Sequence, residues 1–401
     1  MSERVNRPVL FGAACAGMFI FGIVGALLGT LFGLPEVRFR LDLSLGRQGN
    51  LFSIFYLGLL ATTLAAGPTI DRYGSRVVLL VSSILVAAGL AGFAGGAGYR
   101  AAVVSTLALG VGGGGLNIAT NAVVSDLYPR GRGRMLNYLG AFFGAGALSG
   151  PLLSSSIGPG VSIRVLLICF AALAGACAVS YASLAVPPAR EAGSFSPGDI
   201  PAAVRQPGVA LLAALLFFET GNEASVSGWV STYVGYAGWP ARTATAVLAV
   251  YWAAVLVGRG FAGRLHGRLS SRFLLVLCGA GSMAGCAWLM TSHSLWMLIG
   301  ASVVTSVSLA GVYPTALAIA GDRYQRFAGT VFGTLFSVGA LGGMTLPWAL
   351  GHLSEAAGLR TGMLVPLLGT AAVTLIAVAG WKGQGSGIGD QGSGIRDRGE
   401  G

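Results

Sequence analysis

Gly67-Pro68-Thr69-Ile70-Asp71-Arg72-Tyr73-Gly74-Ser75-Arg76 separates two charge-free apolar runs, residues 48–70 and 77–99. A bilayer core about 30 Å thick takes about 20 apolar helical residues to cross. Each run is therefore long enough for one span, and the charged decapeptide reads as the turn between them. Further charge-free runs of sufficient length lie at residues 8–35, 101–125, 135–163 and 165–189, which makes six spans in the first half of the chain. A polar stretch, 187–207, follows; its prolines and the charges Arg190, Glu191, Asp199 and Arg205 mark a linker. Six more spans are expected at 208–236, 243–265, 273–291, 295–321, 327–352 and 361–381. The ninth and tenth share one apolar stretch, divided at Thr291-Ser292-His293-Ser294.

Composition agrees with a membrane class. Apolar residues make up 54% of the 401 positions and charged residues 10%, far from the quarter usual in soluble domains. The net charge of +11 does not argue for nucleic acid, because the basic residues are dispersed between apolar runs. With both termini on one side, the other side receives Arg38, Arg40, Arg47, Arg100, Arg164, Arg242 and Arg360, and the remaining basic residues fall with the termini. Positive residues mark the cytoplasmic face, so both ends are expected there. The cysteines, Cys15, Cys169, Cys177, Cys278 and Cys286, lie inside apolar stretches without a C-x-x-C pair and are expected to be buried thiols. His266, His293 and His352 make no metal-ligand spacing, and no P-loop, H-E-x-x-H or serine–histidine arrangement is present. Neither a cofactor nor an enzymatic activity is expected.

An offset of 196 residues superposes the halves at loop positions. Gly67, Arg72, Ser75 and Arg76 fall on Gly263, Arg268, Ser271 and Arg272, and Asp126 and Arg130 fall on Asp322 and Arg326. With a three-residue gap, Gly146-Ala147-Leu148-Ser149-Gly150 meets Gly339-Ala340-Leu341-Gly342-Gly343. The fold class expected is an all-α integral membrane protein, twelve transmembrane helices in two pseudo-symmetric six-helix bundles. Residues 1–186 form the first bundle, 187–207 a cytoplasmic linker, 208–381 the second bundle and 382–401 a disordered tail. Related halves of this kind hold a solute site between them near the midplane and rock about it.

The stretch 67–76 resembles the loop motif between the second and third spans of the major facilitator superfamily. The resemblance implies a latch on the cytoplasmic side made by Gly67, Asp71, Arg72, Gly74 and Arg76, with Arg264 and Arg268 at the related position of the second half. Gly221-Asn222-Glu223 with Trp229 and Tyr233, Trp252, Gly258-Arg259 and Gly263-Arg264-Leu265 are similar to the fucose permease-like sugar–proton symporters. So are Leu136-Asn137, Phe142-Phe143-Gly144, Gly150-Pro151 and Tyr313-Pro314-Thr315. That branch carries acidic groups on its first and fourth spans. Here the first span has none and the fourth offers Asn117 and Asn121, so fucose specificity does not transfer.

Carboxylates within a span are costly and point to function. The seventh span carries two, Glu219 and Glu223, one helical turn apart. Glu219, Asn222, Glu223, Val226, Trp229, Val230 and Tyr233 share an arc of about 120° at 100° per residue. Glu223 and Glu219 are the proton-coupling candidates; pairing with a cation, or bonding across helices, is the structural alternative. Substrate-binding candidates are Asn222, Trp229, Tyr233, Asn117, Asn121, Asn137, Phe143 and Tyr313. Phe142, Phe143, Tyr251, Trp252, Tyr313 and Phe336 are expected mainly in packing or lipid contact, and Arg259 in pairing with an acid or facing the cytoplasmic cavity. The expected function is secondary active transport, by alternating access, of a small polar solute, a sugar or sugar-like compound, in symport with protons. The alternative is proton-driven export of drugs or metabolites, supported by a partial glycine–proline motif at Gly146–Pro151. A monomer in the cell (inner) membrane is expected, its partners being the solute, the proton and the lipid bilayer.

Overall fold

The computed structural model describes residues 6–156, 162–184, 198, 200–265, 268–324 and 328–380. Among these, twelve long helices alternate in direction: α1 (Arg7–Phe32), α2 (Leu45–Ile70), α3 (Arg72–Gly95), α4 (Gly98–Leu127), α5 (Arg132–Ser156) and α6 (Ile163–Ser183), then α7 (Pro207–Tyr236), α8 (Ala241–Leu265), α9 (Ser271–Thr291), α10 (Leu295–Arg323), α11 (Ala328–Ala357) and α12 (Leu359–Ala379). Eleven are long and apolar enough to cross a membrane. In α5 glycine, serine, Arg132, Arg134 and Asn137 dilute the apolar content below that measure, yet it runs 25 residues and packs against α1 and α8. The tail 382–401 lies outside the described residues, as does most of the linker 187–207, which ends in a short helix, Ile200–Val204.

Punctuation in the sequence explains most boundaries. Ser44, Ser162, Ser270 and Ser294 each accept a hydrogen bond from a backbone N–H of the helix they precede, α2, α6, α9 and α10. The division expected at 291–294 is thus a capped helix start. Gly74, at φ 79°, kinks the opening turn of α3 just after α2 ends, in a conformation that a side chain would strain. Two features were not foreseen. Pro35 restarts the chain as a short helix, Pro35–Arg40, whose Arg40 guanidinium donates to the carbonyls of Phe93 and Ala94 at 2.7 and 3.0 Å, closing the end of α3. Within α10 the regular helix stops at Leu309 and resumes at Val312; Pro314 has no N–H to offer the carbonyl four residues back.

The duplication is visible in the bonds. Arg76 donates to the carbonyls of Tyr181 (3.1 Å) and Ala182 at the end of α6, and Arg272 donates to Val378 (2.7 Å) at the end of α12. Offset by 196, each guanidinium sits on the negative end of the sixth helix of its own half. Within each half the first and fifth helices approach through glycine. A Cβ on Gly146 would overlap the carbonyl of Phe19, and one on Gly342 that of Phe217. Across the halves α2 packs on α11, α5 on α8 and α1 on α7. Of the five cysteines, Cys169 is exposed on the outer surface of α6, contrary to the expectation of burial; the apolar run containing it faces outward at that turn.

Candidate functional site

The seventh helix starts at Pro207 and is buried along most of its length, so its polar residues are held inside the protein rather than toward lipid. Glu219 is 1% exposed. Its Oε2 accepts from Thr220 Oγ1 at 3.2 Å, and its Oε1 has no hydrogen-bond partner among the described residues. One turn on, Glu223 Oε2 lies 3.6 Å from Nη2 of Arg259 on α8. The same guanidinium stands 5.5 Å above the ring of Phe143 on α5, and Phe143 meets Trp252 of α8 edge-on at 6.2 Å. An acid and a base of the second half are thereby joined to an aromatic residue of the first.

A small cavity lies between the halves. From the first half come Phe21, Val24, Gly25 and Leu28 of α1, Phe52, Phe55, Tyr56 and Leu59 of α2, and Phe143 of α5. The second half supplies Glu223, Ala224 and Ser227 of α7 and Trp252 of α8. Its wall is mainly aromatic. Ser227 spends its hydroxyl on the carbonyl of Glu223 at 2.6 Å, which leaves the Glu223 carboxylate as the charged group at this wall.

Of the side chains expected at the site, Glu223 and Phe143 line this cavity. Trp252, expected in packing, lines it too. Asn222 is fully buried with both amide atoms unpartnered among the described residues, and its amide packs against Gly369 of α12, away from the cavity. Trp229 is fully buried 6.4 Å from Phe52, and Tyr233 is buried. Asn121 donates to the backbone and side-chain oxygens of Asn117 at 2.7 and 3.1 Å, so these amides satisfy each other on α4. Asn137 is exposed near the start of α5. Tyr313 stacks on Phe336 at 6.3 Å, and Tyr251 is fully buried. Phe21, Phe52, Phe55 and Tyr56 were missed. The signal was present in α2, where Phe52, Phe55 and Tyr56 stand at i, i+3 and i+4 on one face.

The expected latch residues lie mostly at the surface of the protein. Gly67, Arg72, Arg264 and Arg268 are exposed, with Arg72 lying over the Tyr73 ring at 5.2 Å, and Gly74 makes the turn. The side chain of Asp71 lies outside the described residues. Arg76 is engaged within its own half, at the end of α6.

Relatives and solved structures resemble the chain over different extents. The MFS-type transporter TwmF of Talaromyces wortmannii is 30% identical over 155 residues, 38% of this chain and 28% of that protein. The facilitated glucose transporter member 12 of solute carrier family 2 from Homo sapiens is 31% identical over 125 residues, 31% of this chain and 20% of that protein. The chain thus matches about a quarter of the length of these relatives. The class G tetracycline resistance protein of Vibrio anguillarum is 25% identical over 366 residues, 88% of this chain and 91% of that one. Among solved structures, the nucleoside transporter NupG, in a variant form, superposes with a TM-score of 0.77 at 13% identity, covering 93% of this chain and 98% of that chain. A D-xylose–proton symporter gives 0.74 at 13% identity, covering 93% and 97%. At that identity the likeness speaks for the fold alone. Residues 9–347 match the family model described as Major Facilitator Superfamily, and with that match extending over most of its length, the chain belongs to the Major Facilitator Superfamily of transporters.

Proposed function

We propose that this chain is a proton-coupled secondary transporter of a small organic solute whose flat, largely apolar faces stack in the central cavity. The observation that carries this reading is the Glu223–Arg259 pair, 3.6 Å apart, at the wall of a cavity to which both halves contribute. A carboxylate held this way can be neutralised by Arg259 or by a proton, and either exchange changes the charge facing the solute. Glu219, buried one turn away with a free oxygen, is the second proton acceptor. Alternation of the two halves about this site delivers solute and proton to opposite sides.

The solute class follows from the wall. A sugar of five hydroxyls needs many hydrogen-bonding partners, and the cavity offers few, whereas it presents Phe21, Phe52, Phe55, Tyr56, Phe143 and Trp252. Aromatic walls favour planar rings. Export of such solutes is in keeping with the relative named for tetracycline resistance, which matches this chain nearly end to end. Sugar–proton symport is the second reading. It is supported by the glucose-transporter relative and by the Gly221-Asn222-Glu223 and Gly258-Arg259 stretches of the fucose permease-like resemblance, which the ion pair joins. We also take the exposed Arg72, Arg264 and Arg268 to lie on the cytoplasmic side with both termini, in a cell membrane, where they would close as a latch in the opposite state of a monomeric transporter.

Reconstitution into proteoliposomes tests the proton role. With an imposed pH gradient the parent protein moves solute against its concentration gradient, and Glu223→Gln only equilibrates it. Unchanged gradient-driven transport by Glu223→Gln overturns the reading. A panel of planar aromatic compounds and monosaccharides separates the two solute classes.

A further inference from the structure

The end of the molecule opposite to the start of α1 is closed by hydrogen bonds that cross between the halves, and two of them share a design. The first joins α2 to α11: the backbone N–H of Gly46, in the opening turn of α2, donates to Glu355 Oε2 at 2.7 Å. His352, one turn earlier on α11, meets Asn50 of α2 at 3.0 Å beside it. The second joins α8 to α5: Arg242 Nε, at the start of α8, donates at 2.6 Å to the carbonyl of Ser155 in the closing turn of α5.

One side of each clamp is related by the duplication. The offset of 196 carries Gly46 onto Arg242, while their partners Glu355 and Ser155 stand near the ends of the corresponding helices α11 and α5 without falling on each other. In each clamp a charged side chain meets the oppositely polarised end of a helix from the other half. Glu355 faces the positive N-terminal end of α2, and Arg242 the negative C-terminal end of α5. Both also satisfy a backbone group that the helix itself leaves unpaired. The lack of a side chain at Gly46 is part of the fit, because a Cβ there would overlap the Glu355 carboxylate and crowd the His352 ring.

We infer that Glu355 and Arg242 are paired gate-holding residues: two clamps across the halves that keep this mouth shut while the other end is open, and whose release is a condition for opening it. They act through the conformational balance and do not touch the solute. The inference rests on the reading of the chain as an alternating transporter, but its test needs no transport.

Spin labels at Phe39 and Trp296, exposed residues near the clamped mouth on opposite halves, report its width as Phe39→Cys and Trp296→Cys in a chain whose native cysteines are replaced by alanine. A charge at a helix end is worth about a two- to five-fold change in an equilibrium. Glu355→Gln and Arg242→Gln should each raise the population of the longer distance by about that factor, and together by about the product. Gly46→Ala, which leaves every charge in place, should act like Glu355→Gln. Arg360→Gln, which removes a charge at the same end that meets His293 at 3.2 Å within one half, should leave the distances unchanged. Distances unaffected by the clamp variants, or moved equally by Arg360→Gln, overturn the inference. A protein that fails to couple solute to protons yet shows these shifts keeps the clamps and loses the proton reading; one that couples normally without the shifts does the reverse.

Discussion

Replacing one partner of the Glu223–Arg259 pair should cost more than replacing both. At 3.6 Å the attraction between unit charges is about 5 kcal/mol for an effective dielectric constant of about 20. The side chains keep 32% (Arg259) and 19% (Glu223) of their exposure, and the separation exceeds that of a strong hydrogen bond. Solvent screening then reduces the net value to about 2 kcal/mol. Arg259→Met leaves the Glu223 carboxylate in an aromatic cavity without its cation, and Glu223→Gln leaves the guanidinium with only the Phe143 face. Each single variant should lose about 2 kcal/mol, and the double variant should recover most of it, because the charge left unpaired by either single change is gone. Thermal unfolding of the purified protein in detergent, read as a double-mutant cycle, measures the coupling. A coupling energy below about 0.5 kcal/mol would refute the ion pair as the link between α7 and α8.

Three further outcomes follow from the geometry. Gly146→Leu should destabilise by about 1–3 kcal/mol, because its side chain meets the Phe19 backbone, whereas Gly12→Leu, at an open position, should leave the melting temperature unchanged. Phe143→Leu should weaken binding of a planar solute by about five-fold while preserving the fold, measured by fluorescence titration; equal affinity would place the solute elsewhere. Arg76→Gln and Arg272→Gln should each cost about 0.3–1 kcal/mol and speed amide exchange at the ends of α6 and α12 alike, and a large effect at one site alone would count against their equivalence.

How far the sequence foretold this structure depended on the kind of signal. Span positions were legible because a run such as 77–99 has one reading in lipid, and the break at 291–294 because Ser294 caps a helix. The duplication was legible at Arg76 and Arg272, whose offset anticipated matching bonds. The pairing of Glu223 was readable as a need for a cation, and Arg259 was among the candidates. Solute contacts were less legible. Asn222 and Trp229 share a helical arc with Glu223, but α12 and α2 pack on their side of α7 and remove them from the cavity. An arc specifies a face of one helix and says nothing of which neighbour covers it. Phe52, Phe55 and Tyr56 were passed over for the same reason, since aromatic residues in a span suit lipid, core and cavity equally until the partner helices are placed. The helix Pro35–Arg40 escaped because Arg38 and Arg40 read as loop charges, although Arg40 is spent on the end of α3.

The central claim is that one cavity, shared by the two halves, opens in turn to either side of the membrane. Ser227→Cys in a chain otherwise lacking cysteine places a thiol on the cavity wall, and a membrane-impermeant maleimide can be offered from each side of oriented vesicles. Labelling from both sides is predicted, with a transported solute or an imposed pH gradient raising one rate while lowering the other. Labelling confined to one side under every condition would contradict the account.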